Sequence, residues 1–404
     1  MFFLKSAFCR IYQTAFRIVL PLLPYREPEI VDSCSGLDRI LKKEKVNSVL
    51  IVTDKGIVEN GLTVPITEVL ESMGMDYAIY DQTRPNPTVH NVEDAYALYL
   101  ENHCNCLIAV GGGSSMDCAK AVGARAVYPK KSIGKMKGIL RVLRPLPTLI
   151  AIPTTAGTGS EKQHKYALMS FPLIPHYAVL DPELTCSLPK SLTATTGMDA
   201  LTHAVEAYIG RSTTRETRRL ALDAVKLVFE NIETAYQDGQ NRTARGNMLQ
   251  AAYKAGAAFS QSYVGYIHAV AHSLGGQYGT PHGLANAVIM PYVLKAYGKT
   301  AWKKQLRRFY VRNRSGAVRN FIFNTPYEKV RQKKNRLHAP CPVPFPQLQA
   351  ARTIRKYTDH ESMELSVSFD SGASGGRHSR RQYSNCKAQC VFSCNQRNDR
   401  KNHR

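Results

Sequence analysis

Residues 105–127 read NCLIAVGGGSSMDCAKAVGARAV: an apolar, β-branched run, three consecutive glycines at 111–113, then an alanine-rich stretch at helical spacing. A strand that breaks at glycines and restarts as a helix is the opening unit of an α/β sheet. The glycines let backbone approach a phosphate closely, and the following helix N-terminus offers unsatisfied N–H donors. The stretch lacks the GxGxxG dinucleotide spacing, so by itself a plain tight turn explains it equally well.

Outward from this unit the same texture recurs. NSVLIVTD (47–54), MDYAIYD (75–81) and PTLIAIPTT (147–155) are further β-branched runs separated by helical stretches. The alternation predicts parallel strands with crossover helices, and ligands in such sheets bind outside the carboxyl ends of the strands. Three of those ends are chemically marked, by Asp54, by the glycines at 111–113 and by Thr154 and Thr155. A carboxylate at a strand end can accept from an adenosine ribose and repel a 2′-phosphate, although a turn-forming Asp beside Lys55 and Gly56 is the commoner use.

After LDPELTCSLP (180–189) the strand signals fade, and SLTATTGMDALTHAVEAYIG (191–210) and RRLALDAVKLVFENI (218–232) carry helical periodicity. The expected fold is an α/β N-terminal dinucleotide-binding domain over 1–187 followed by an all-α domain over 188–304. Beyond Lys304 neither period is sustained, and a basic tail over 305–404 is expected to be disordered or frameshifted.

Charge supports that division. The 404-residue chain carries a formal +23, but residues 301–404 hold 23 Lys+Arg against 6 Asp+Glu, leaving 31 against 25 for residues 1–300. The basicity belongs to the tail, so the main body has no nucleic-acid signature. Cysteines at 9, 34, 104, 106, 118 and 186 are scattered rather than clustered as in a secreted disulfide scaffold, which points to a reducing cytoplasm. The apolar N-terminus, MFFLKSAFCRIYQTAFRIVLPLLP, is interrupted by Lys5, Arg10 and Arg17. It is too broken to span a bilayer and lacks a signal-peptide cleavage site; an amphipathic helix packed on the fold is the expected use.

The strongest chemical signal is GMDALTHAVEAY (197–208), where Asp199 and His203 stand four apart and share one helical face. YIHAVAHSLGGQYGTPHGLAN (266–286) adds His268, His272 and His282. One carboxylate with neutral imidazoles suits Fe(II) or Zn(II). Spacing alone does not decide which histidine stands outside such a site.

Taken together, GGGSSMDCAK, PTTAGTGSE, LDPELT, GMDALTHAVEAY and HAVAHSLGGQYGTPHGLANAVIMPYVL resemble the iron-containing, group III alcohol dehydrogenases from about residue 10 to about residue 304. The resemblance implies a dehydroquinate-synthase-like architecture. It implies Asp199, His203, His268 and His282 as metal ligands and His272 as a non-ligand catalytic histidine near the nicotinamide. Asp54, Asn86, Gly113, Ser114, Asp117, Thr154, Thr155, Thr158 and Lys165 fall at cofactor-contacting positions. The implied activity is NAD-linked interconversion of primary alcohols and aldehydes, with metal-assisted loss of the alcohol proton and hydride transfer to the nicotinamide. A homodimer is implied by the family only.

Two departures stand out. After TGSE about ten residues, roughly one hairpin strand, are missing before KYALMS (165–170), so the Lys165 match is drawn across a gap. At 304 charge, periodicity and resemblance change together, which predicts a frameshift there. A relic of the family that keeps its sites without turnover is therefore the alternative reading. A nucleic-acid binder using the basic tail is a third and weaker one.

Overall fold

The computed structural model describes residues 26–155 and 168–301, apart from 86, 211, 263 and 279, together with Ile11 and Thr14. The positions Asn86, Thr158 and Lys165, the gap after Ser160, the tail 305–404 and most of the N-terminal apolar segment lie outside the described residues.

The four β-branched runs form strands β2 (Ser48–Val52), β3 (Asp76–Tyr80), β4 (Cys106–Gly111) and β6 (Thr148–Pro153). Two three-residue strands extend the sheet, β1 (Glu29–Val31) and β8 (Tyr177–Val179). The order is β1-β8-β6-β4-β2-β3, with every pairing parallel. A separate two-stranded parallel ladder joins β5 (Gly138–Ile139) to β7 (Leu168–Met169).

Both faces of the sheet are covered, as a parallel sheet requires, and side-chain alternation sorts the core into two clusters. Leu50, Val52, Leu107, Ala109 and Leu149 pack on one face with α4 (Val89–Glu101) and α5 (Gly113–Val127). Val49, Ile51, Ile108, Val110, Ile150 and Ile152 pack on the other with α1 (Leu37–Lys43) and α3 (Val64–Ser72). Helix α4 starts in a reciprocal capping box between Thr88 and Asn91. The chain crosses from β2 outward to β3 and then returns to β4 on the far side of β2, so the carboxyl ends of β2 and β4 flank the point where strand order reverses. That is where such sheets open a ligand crevice.

Beyond the four-residue α6 (Glu183–Cys186) the chain is helical among the described residues: α7 (Lys190–Ile209), α8 (Arg215–Gln237), α9 (Arg242–Ser262), α10 (Tyr266–Tyr278) and α11 (His282–Ala301). The long helices begin at Lys190. Helix α8 is amphipathic and capped by a Thr214–Thr217 box, whereas α7 is buried continuously from Asp199 to Tyr208. A helix buried all round is one that neighbours surround, and α8, α9 and α11 all pack on α7. At the start of this region the buried Arg245 donates to Leu188 O at 3.3 Å, Thr193 Oγ1 at 2.8 Å and Gly239 O at 2.9 Å.

Candidate metal centre and nucleotide site

The three marked strand ends converge. Asp54 follows β2 and caps α2 (Lys55–Glu59), its Oδ1 accepting from Ile57 N at 3.2 Å. Gly111 ends β4 with φ +137°, a conformation that side-chain-bearing residues rarely adopt. A Cβ there would also lie 2.7 Å from Ser115 Oγ and 3.6 Å from Asp54 Oδ2. Gly112 faces Thr155 Oγ1, and Thr154 N donates to Gly111 O at 3.0 Å. Gly113 is the buried first residue of α5, Ser114 is half-buried beside it, and Asp117 is exposed one turn on. The helix N-terminus, bare glycine backbone, hydroxyls and a carboxylate therefore lie together at the carboxyl ends of β2, β4 and β6, the end of such a sheet at which dinucleotides bind. Asp54 fulfils the turn-forming role through Oδ1, and its Oδ2 lies beside Gly111.

The metal candidates sit on the helical part. Asp199 and His203 project from α7, His268 and His272 from α10, and His282 opens α11. Candidate ligand atoms of Asp199, His268 and His282 all lie within 4.8 Å of one another, and all three residues are buried. Asp199 Oδ1 is 3.5 Å from His282 Nε2 and 3.7 Å from His268 Nε2. The His203 ring packs between Phe259 at 4.4 Å and His268 at 4.3 Å, adjoining the trio without sharing its close atom set. His272 is exposed, its ring stacked on His282 at 4.9 Å.

The electrostatics of this cluster oppose one another. Burial disfavours the charged Asp199, but His203 and then the other two imidazoles outweigh that and hold its carboxyl below the usual range. Burial drives the His203 imidazole down to about 4 against the pull of Asp199, keeping it neutral as a metal ligand must be. For His268, burial is overcome by the Asp199 and Glu206 carboxylates, which lift it to about 9.

Asp199 Oδ2, His268 Nε2 and Asn286 Oδ1 are buried with no hydrogen-bond partner. A buried orphan of this kind costs about 1–3 kcal/mol, and a carboxylate oxygen beside an imidazole nitrogen is what a bound cation satisfies once it displaces the imidazole proton. The donor set, one carboxylate and imidazoles, fits divalent iron or zinc.

Two residues were not among the sequence candidates. Glu206 accepts from Gly265 N at 2.7 Å, Ile267 N at 2.6 Å and His268 Nδ1 at 2.6 Å. Asn286 Nδ2 donates to Asp199 Oδ1 at 2.6 Å and lies 3.1 Å from His282 Nε2. The signal for both was spacing: Glu206 is seven residues from Asp199 and Asn286 four from His282, each on the ligand-bearing face of its helix.

Known proteins match both parts of the chain. The family profile described as iron-containing alcohol dehydrogenase matches residues 31–182, and the Fe-containing alcohol dehydrogenase family C-terminal profile matches 193–336. The second match moves the end of the resemblance from 304 to 336. A 1,3-propanediol dehydrogenase of Klebsiella pneumoniae is 40% identical over 293 residues, covering 69% of this chain and 75% of that protein. Alcohol dehydrogenase 4 of Saccharomyces cerevisiae is 40% identical over 267 residues, covering 63% and 70%. Among solved structures, a 1,3-propanediol oxidoreductase superposes with a TM-score of 0.64 at 37% identity, covering 67% and 74%. A sulfoacetaldehyde reductase from Bifidobacterium kashiwanohense, in complex with NAD+, superposes at 0.65 and 26% identity, covering 83% and 92%. On both its α/β and its helical part, the chain belongs to the iron-containing alcohol dehydrogenase family.

Proposed function

We propose that this chain interconverts a small primary alcohol and its aldehyde, using Asp199, His203, His268 and His282 to hold a divalent iron or zinc and the crevice at Asp54, Gly111–Gly113 and Thr154–Thr155 to hold NAD. The observation that carries the reading is the buried trio Asp199, His268 and His282, which offers ligand atoms within 4.8 Å of one another, with Asp199 Oδ2 and His268 Nε2 buried and unpartnered. When bound, the metal supplies Lewis acidity to the substrate oxygen and the nicotinamide accepts or returns hydride.

The chain's own residues do the rest. Burial around α7 keeps water away from Asp199 and His203, and Asn286 holds Asp199 by donating to its Oδ1, the oxygen 3.5 Å from His282 Nε2 and 3.7 Å from His268 Nε2. His272, exposed and stacked on His282, is placed to pass the alcohol proton towards solvent. Gly113, Ser114 and Asp117 at the start of α5 receive the pyrophosphate side of the cofactor, and Asp54 takes the adenosine ribose and disfavours a 2′-phosphate. Asn86, Thr158 and Lys165 belong to the same cofactor set by resemblance alone.

No helix among the described residues is long and apolar enough to cross a membrane. Cys34, Cys104, Cys106, Cys118 and Cys186 are unpaired thiols, consistent with a cytoplasmic protein, and a homodimer is the expected assembly. The deciding experiment is NADH oxidation by purified protein over a panel of short aldehydes, before and after metal stripping. Turnover lost on stripping and restored by Fe(II) or Zn(II) supports the reading. Bound metal without turnover on any aldehyde supports the inactive relic instead.

A further inference from the structure

Glu206 is two per cent exposed and lies three residues past His203 on α7, yet its hydrogen bonds all run to the start of α10. Its Oε1 takes the Ile267 N–H, and its Oε2 takes the Gly265 N–H together with His268 Nδ1. The approach is close enough that a Cβ on residue 265 would fall 2.8 Å from Oε1, so a side chain there would displace the carboxylate. Two of the three donors are backbone N–H groups, which fixes both oxygens as acceptors. An ionised carboxylate can only accept, so the ring proton of His268 must sit on Nδ1. The lone pair of a neutral His268 is then on Nε2, the buried atom that has no partner and lies 3.7 Å from Asp199 Oδ1.

We propose that Glu206 is the positioning residue of the metal centre: by accepting from His268 Nδ1 while anchored on the Gly265 and Ile267 amides, it fixes the ring orientation and presents Nε2 to the metal. The role rests on the metal-centre reading above. Outer carboxylates of this kind orient ligating imidazoles and raise their basicity. Here the same carboxylate also joins α7 to α10, so the helix carrying Asp199 and the helix carrying His268 are set against each other at the ligand itself.

Glu206→Gln keeps the shape and removes one acceptor. With its amide nitrogen towards His268 it donates to Nδ1 and moves the ring proton to Nε2; turned over, it sets an NH2 against the Ile267 N–H. Zinc affinity of stripped protein, read by competition with a chromophoric chelator, is expected to fall about 10–100-fold in Glu206→Gln. Protein with 15N-labelled histidine, loaded with zinc, should show His268 protonated at Nδ1 and bound through Nε2, the signal being assigned by its loss in His268→Gln.

A Glu206→Gln protein that melts lower without metal but binds zinc as wild type does would show a purely structural role and overturn the proposal. If that variant does not fold, the wild-type spectrum decides alone: zinc bound through Nδ1 of His268 overturns it. Wild-type protein that takes up no zinc overturns the metal centre and this proposal with it. Wild-type binding with an unaffected Glu206→Gln overturns only the role of Glu206.

Discussion

Two glycine-to-alanine substitutions in helices of this chain are expected to act in opposite directions. Gly256 lies inside α9, and a Cβ there meets nothing within 4 Å. Gly283 is the second residue of α11, and a Cβ there would fall 2.2 Å from Thr195 O and 2.7 Å from Thr195 C on α7. Alanine in a helix interior gains up to about 1 kcal/mol over glycine. Gly256→Ala should keep that gain and raise the melting temperature by about 2–4 °C.

Gly283→Ala must separate the contact to the ~3.3 Å of a close C···O approach, a shift of about 1 Å. The obstructing atoms are backbone and cannot rotate away, so the cost lies at the upper end of the ~1–3 kcal/mol typical of overpacking. Net of helix propensity, a loss of about 2 kcal/mol is expected. His282 immediately precedes the shifted residue and stands 3.5 Å from Asp199, so zinc affinity should also fall by at least about tenfold, as for loss of an orienting group. Thermal melts and chelator competition on both variants test this. A Gly283→Ala protein that melts and binds zinc like wild type, or the same sign of shift in both variants, would refute the reasoning.

Other outcomes follow from the same contacts. Asp199→Asn, which removes the carboxylate at the centre of the buried trio, should lower zinc affinity by more than the roughly 10–100-fold of an outer-shell loss, measured by chelator competition. Asp54→Ala should cost about 1 kcal/mol through the lost α2 cap and raise binding of NADPH relative to NADH, read by cofactor fluorescence. Burial, followed by the charge of Arg26, lowers the pKa of His176, whose Nδ1 accepts from Leu149 N at 3.1 Å. The unfolded chain therefore binds a proton at this site that the folded chain resists, so stability is lost as pH falls below the unfolded value of about 6.5. Urea unfolding between about pH 7 and about pH 5 should show that slope in wild type and a shallower one in His176→Gln.

Much of the α/β part was legible because its signals are local. Four continuous β-branched runs became four adjacent strands, β6, β4, β2 and β3, and the residues that end three of them, Asp54, the glycines and the threonines, lie close together. The three-residue strands β1 and β8 were not legible. They pair Ile30 with Ala178 across nearly the whole α/β part, and a segment of three residues carries no period of its own. In the helical part, four-residue spacing proposed Asp199 and His203, and resemblance to a family selected His268 and His282.

The sequence by itself determined the fold class, the glycine turn and one helical face bearing a carboxylate and an imidazole, because each is a property of neighbouring residues. Only the tertiary structure decided that Asp199, His268 and His282 form the tight trio, with His203 stacked beside it and His272 at the surface. It alone showed that Glu206, in sequence one more polar residue on a helix, is buried and takes three N–H groups from the start of α10. Helical period fixes which way a side chain points, but what it meets depends on helices packed from about 60 to 90 residues away, and those approaches are set by close contacts such as Gly283 on Thr195.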